Sequence, residues 1–161
     1  MEQTISSILD GIDYVPKVAN PGTLITFESN SYPILTGDTV CDIVFGAAEV
    51  GSGKVFVTTH ELYIEHFLNM SNDFGKLWSN IKSWLCNNKQ ELIEEDIRNI
   101  DEYDSVMDIP NDVKLIKWIG TCHKSDLFLN QLLKKYVMNG GNLICGICPW
   151  GKKGYFFLIF F

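Results

Sequence analysis

Residues 115–147 read LIKWIGTCHKSDLFLNQLLKKYVMNGGNLICGI, and the reading of this stretch decides the fold. Leu115 to Ile119 is a short apolar run of strand type. Ser125 can cap a helix running to Met138, with Leu129, Leu132, Leu133 and Tyr136 on its apolar face. Asn139-Gly140-Gly141 stops that helix, and Asn142 to Ile147 is the next strand. Strand, helix and strand in so short a span make a βαβ unit. Such a unit forces a parallel pair and a right-handed crossover.

Working outward, Val40 to Ala48 is a strand of small and β-branched residues, and Gly51-Ser52-Gly53 turns the chain into a strand at Lys54 to Thr59. Two strands about a short glycine loop make a β-hairpin. Thr23 to Phe27 and Tyr32 to Thr36 read as further extended pieces. Thr4 to Ile12 reads as a short amphipathic helix, and Glu61 to Leu68 as another. The clearest helical signal places Phe74, Leu77, Trp78, Ile81, Trp84 and Leu85 on one stripe, ended by Asn87-Asn88. Helices interleaved with strands predict a three-layer α/β fold, with helices on both faces of a mixed, mostly parallel sheet and a β-hairpin added. Residues 1–154 read as one domain, followed by a short hydrophobic tail at 155–161.

The chain has 161 residues, 46% of them hydrophobic, enough for one real core. Thirteen Lys and Arg oppose twenty Asp and Glu, a net charge of −7, which argues against a nucleic-acid partner. The charge is concentrated. From Lys89 to Asp112 there are nine acidic residues against Lys89 and Arg98, so this segment carries −7 and the rest of the chain is neutral. The segment reads as a solvated surface helix and loop, or as a docking surface for a basic partner with Glu94, Glu95 and Asp96 as its candidate contacts. No glycine stands where an EF-hand loop needs one. The first ten residues lack the basic start and apolar core of a secretory signal. No apolar run reaches the roughly 18 residues of a membrane helix. Five scattered cysteines (Cys41, Cys86, Cys122, Cys145, Cys148) read as reduced thiols, so a cytosolic location is expected.

Several motifs suggest chemistry and fail their own tests. His60-Glu61 begins like a zinc-protease signature, but the next histidine is His66, six residues on, which turns the rings to opposite sides of a helix. His60 is expected to cap or end a strand and His66 to face solvent. Gly51-Ser52-Gly53-Lys54 has the look of a phosphate loop, but Ala48 replaces its first glycine and Val55 its hydroxyl residue, so a hairpin turn is expected. Cys145-Gly146-Ile147-Cys148 has redox and zinc spacing, but lies in or just after a strand and has no second pair. The same run resembles the strand entering the nucleophile elbow of class I glutamine amidotransferases. That elbow needs glycine two residues after its cysteine, where this chain has Trp150, and no histidine follows His123 to act as base. The fold is therefore expected to be amidotransferase-like or flavodoxin-like, without catalytic, metal or cofactor residues.

Three stretches carry a family resemblance. Val44 to Ala48 with Gly51 to Val57 and Thr59 to Tyr63, then Ile81 to Cys86, then Tyr136 to Trp150 resemble, in order and rough spacing, segments of the TRP channel-associated factors. The resemblance runs from about residue 5 to 153 and implies that family's N-terminal amidotransferase-like domain. It further implies a non-enzymatic protein, cytosolic and peripheral to the plasma membrane, that binds a melastatin-type TRP cation channel. Such a protein modulates the channel's trafficking and gating and is linked to cell migration. Family members are much longer, with a second similar lobe and an enhancin-type peptidase-like domain. Cys145 and Cys148 stand where the family pattern has Ile and Gln, so no cysteine role carries over. Beyond Gly154 the pattern is lost, as in a truncated form, and Tyr155 to Phe161 reads as a last strand or an aggregation hazard. The alternative reading is a degenerate hydrolase with residual thiol chemistry at Cys148, or an inactive fragment.

Overall fold

A computed structural model describes residues 2–25, 29–39, 42–69, 74–87, 92–103, 109–110, 112–120 and 127–147. The expected βαβ unit is present. Strand β5 (Leu115–Gly120), helix α4 (Leu127–Met138) and strand β6 (Asn142–Ile147) follow in order, and β5 and β6 pair in parallel from Leu115↔Asn142 to Gly120↔Ile147. Ser125 lies outside the described residues. Gly140 ends α4 at φ +105, a conformation that suits glycine.

The hairpin also forms. Strands β2 (Ile43–Val50) and β3 (Gly53–Thr58) pair antiparallel up to Val50↔Gly53, leaving Gly51-Ser52 as the loop. Strand β1 (Ser31–Thr36) adds to β2 antiparallel. The full order is β1-β2-β3-β6-β5-β4, in which β3, β6, β5 and β4 run parallel. Between β3 and the far edge come α1's layer partners α2 (Glu61–Leu68) and α3 (Phe74–Leu85), with α1 itself at Glu2–Ile8. The chain thus crosses the sheet from β3 to β4 over one face and returns through α4 over the other. Right-handed crossovers require this change of face when the direction of travel reverses.

Two cores result. Phe45, Phe56, Leu115 and Ile144 meet α1, α2 and α3 on one face. Val55, Ile116 and Leu143 meet Leu133, Tyr136 and Val137 of α4 on the other. The alternation along each strand follows from its period of two. All six stripe residues of α3 are buried, each removal from water contributing about 1.5–3 kcal/mol before entropy costs.

Three expectations need correction. Among the described residues, the piece expected at Thr23 to Phe27 pairs only through a single bridge, Leu24↔Ile43. The helix expected to reach Ile12 ends at Ile8, where Gly11 at φ +64 and two successive turns redirect the chain. Among its described residues the acidic segment forms no α-helix. It holds 3₁₀ turns at Glu94–Asp96 and Ile100–Glu102 around a short edge strand, β4 (Ile97–Asn99). Ile97 N–H donates to Glu94 O, and Asn99 N–H to Glu102 Oε1 at 3.0 Å. Both donors are taken internally, which blunts this sheet edge. The tail at 155–161 lies outside the described residues.

Candidate functional site

Parallel α/β sheets bind ligands beyond the carboxyl ends of their strands, where successive crossovers leave toward opposite faces. Here that region follows β3, whose crossover goes to α2, and β5, whose crossover goes to α4 on the other face. Thr58, Thr59, His60 and Glu61 form its described wall.

His60 is 4% exposed and stands at the N-cap of α2 with extended backbone, φ −151 and ψ 134. Its Nδ1 accepts the Leu62 N–H at 3.2 Å. Thr58 Oγ1 donates to His60 O at 3.0 Å and fixes the turn. Glu61 Oε2 lies 3.6 Å from the same Nδ1, is shielded from solvent, and has no hydrogen-bond partner. Thr59 Oγ1 is also buried without one. Gly146 of β6 makes room for this turn, because a Cβ there would stand 2.8 Å from Glu61 Cα. His60, expected to cap or end a strand, instead caps helix α2, two residues past the end of β3. His66 is corrected: it is half-buried and stacks on Phe74 with centroids 5.1 Å apart, since α2 and α3 pack against each other.

Cys145 lies in β6 with 1% exposure, flanked by Val57 and Trp118 across the sheet. Burial pushes its thiol up to about 12, which leaves it protonated and a poor nucleophile. Cys148, His123 and Trp150 lie outside the described residues.

Gly51 to Lys54 lies at the opposite end of β3. The loop packs on the carboxyl end of α4, where Ser52 N–H donates to Met138 O at 3.2 Å. Gly51 has φ +60, and a Cβ there would come within 2.6 Å of Met138 O. These glycines therefore admit a helix end. That end presents carbonyls and negative dipole, the reverse of what a phosphate needs. Lys54 Nζ turns away to Trp84 O and Asn87 Oδ1, each at 2.6 Å, and lies 4.7 Å from the Trp84 ring centroid. It caps α3, whose last turn closes at Asn87 in the left-handed region, φ 54. Burial lowers its pKa below the usual lysine value.

The acidic candidates separate. Glu94 and Glu95 are exposed. Asp96 is engaged: Oδ1 lies 2.8 Å from Lys114 Nζ, and Oδ2 accepts the Ile93 N–H at 3.1 Å. The Lys114 hydrogen bond holds its carboxyl below the ordinary value of 3.8. A depressed carboxylate stabilises the fold above the unfolded-state value and loses that contribution as pH falls through the folded one. Asp96→Asn is therefore expected to be less stable than the parent at neutral pH and to converge with it in acid. Urea melts between pH 7 and 2 measure this, and a constant difference would refute the pairing.

The capping role of Lys54 and the Lys114–Asp96 pair were not legible in the motifs, because each joins residues far apart in the chain. Among the described residues, no group of His, Cys, Asp and Glu is arranged to hold a metal ion.

No family model matches the chain, and no curated protein matches it. Two solved structures do. One is the IMPa metallopeptidase from Pseudomonas aeruginosa, at 12% identity and TM-score 0.68 over 94% of this chain and 20% of that one. The other is IMPa metallopeptidase in complex with T-antigen, at 11% identity and TM-score 0.54 over 78% of this chain and 17% of that one. This chain spans about a fifth of their length, and at such identity the likeness is one of fold.

Proposed function

We propose that this domain is a non-enzymatic regulatory module that binds a melastatin-type TRP cation channel and modulates its delivery to the plasma membrane and its gating. On this reading it acts in the cytosol, held at the membrane by its partner. The observation that carries the reading is the employment of the chemistry-bearing residues. Lys54 closes α3, His60 caps the start of α2, and Cys145 is a protonated wall residue. The family resemblance supplies the partner. Glu94 and Glu95 supply an exposed acidic turn for a basic cytosolic surface, where complementarity raises encounter rate more than affinity. The matched structures support a further point. There, the part that shares this fold makes up 20% of a longer metallopeptidase chain. No helix among the described residues is long and apolar enough to cross a membrane.

The test is co-precipitation of the full-length channel with the chain from co-expressing cells. Glu94→Gln with Glu95→Gln should lower channel recovery several-fold at low salt and flatten its salt dependence. Unchanged recovery removes the acidic turn from the account, and no recovery with the parent removes the channel. Alkylation separates the thiol reading: a Cys148 that reacts faster than a free thiol would favour the degenerate hydrolase.

A further inference from the structure

We infer that Asn139-Gly140 is a site of spontaneous covalent modification, and that its isoaspartyl product unseats α4 from the β2–β3 hairpin. This is the one Asn-Gly pair in the sequence. It follows directly on α4, and both residues are exposed. Gly140 has no Cβ to obstruct an attack by its own nitrogen, and it stands at φ +105, where other residues are strained. The Gly140 nitrogen loses its proton to water and attacks Asn139 Cγ. A nitrogen–carbon bond forms, the bond from Cγ to the side-chain nitrogen breaks, and that nitrogen takes a proton from water and leaves as ammonia. Water then opens the five-membered imide. Opening at the side-chain carbonyl gives aspartate. Opening at the main-chain carbonyl gives isoaspartate, in which the backbone runs through Cβ and Cγ and gains one atom.

The fold supplies a gate and a consequence. Gly140 N–H donates to Val137 O at 2.9 Å, so the attacking nitrogen is engaged until the last turn of α4 opens. Such ends open locally far more readily than a whole domain unfolds. The consequence follows from how the turn is held on both sides. Before it, Met138 O accepts from Ser52 N–H at 3.2 Å, and a Cβ on Gly51 would stand 2.8 Å from Met138 Cα. After it, Gly141 N–H donates to Tyr136 O at 3.0 Å, and Asn142 opens β6 between Lys54 and Leu115. Gly53 packs on the carbonyl oxygens of Val137 and Gly141 together, with no room for a methyl group. One added main-chain atom between residues 139 and 140 shifts those two carbonyls relative to each other, and a close-packed joint has no slack to absorb it. The new carboxylate also stands at the negative end of the α4 dipole, where an anion is disfavoured.

Ageing the whole chain at mildly alkaline pH tests this, with peptide mass spectrometry and labelling by an isoaspartyl methyltransferase to identify the product. Isoaspartate should accumulate at position 139 of the folded chain. It should form about fivefold or more slowly than in the same chain unfolded in urea, the factor that one net hydrogen bond supplies. Hydrogen exchange then reads the joint: in the isoaspartyl fraction, Ser52 N–H should lose about fivefold or more of its protection. Asn139→Gln would have to close a six-membered ring, so it should stay unmodified at that position and keep its Ser52 protection through the same ageing. Freshly prepared Asn139→Asp carries the charge without the added backbone atom, and should keep most of the protection. A folded chain that forms no isoaspartate at 139 while the unfolded chain converts would overturn the inference. So would isoaspartyl protein with parental Ser52 protection, or fresh Asn139→Asp losing as much as the isoaspartyl fraction.

Discussion

Gly53→Ala is expected to cost about 3 kcal/mol or more and to separate α4 from the β2–β3 hairpin. A Cβ at this position would fall on the carbonyl oxygens of Gly141 and Val137. Both are backbone atoms, so no side-chain rotation relieves the overlap and the helix end must move. Movement there strips Val55 and Leu143 of their α4 partners, Leu133 and Val137. A domain with 5–15 kcal/mol of total stability would lose a large share. Urea melts measure the loss, with Ser52→Ala as control. Ser52 is exposed in the same loop, and its contact to Met138 uses backbone N–H, so that change should stay within about 0.5 kcal/mol. A Gly53→Ala protein within 1 kcal/mol of the parent would show that α4 does not sit on the hairpin.

Phe45→Ala should be as severe, at about 3–5 kcal/mol. Phe45 is 0% exposed and lies at the centre of an aromatic cluster. Tyr63 meets it edge-on with centroids 4.8 Å apart at 89°, and Phe56 and Phe67 stand 5.8 and 5.9 Å away. Truncation removes buried apolar surface and three ring contacts together, and leaves a cavity walled by α2 and β3 that cannot readily collapse. Phe45→Leu retains most of the volume and should cost much less. Thermal and urea unfolding of the two variants give the comparison. A loss below about 1.5 kcal/mol for the alanine would mean that this face of the sheet is not the main core.

Most of the architecture was legible because it rests on local periodicity. The α3 stripe at Phe74, Leu77, Trp78, Ile81, Trp84 and Leu85 repeats at the helical spacing and is buried at every position. The βαβ unit declared itself through two apolar runs, a capped amphipathic stretch and Asn139-Gly140-Gly141. The hairpin turn was legible in Gly51-Ser52-Gly53, although Gly53 itself pairs with Val50 as the first residue of β3. Strand β4 was not legible. Ile97, Arg98 and Asn99 lie within an acidic run with no alternation to mark them, and they are extended because β5 offers a parallel partner from Leu115 to Lys117.

The site divides the same way. Failed motif tests could be read residue by residue: Ala48, Val55 and Trp150 each stand where a mechanism needs something else. The duties that replaced those mechanisms could not. Lys54 finds Trp84 O thirty residues away, Asp96 finds Lys114, and Gly146 admits Glu61 from a helix far earlier in the chain. Sequence alone determined the fold class, since side-chain period and turn chemistry act over a few residues. Only the tertiary structure decided what each lysine, histidine and glycine is for. Hydrogen bonds and steric exclusion act over about 3 Å in space, and that distance bears no relation to separation along the chain.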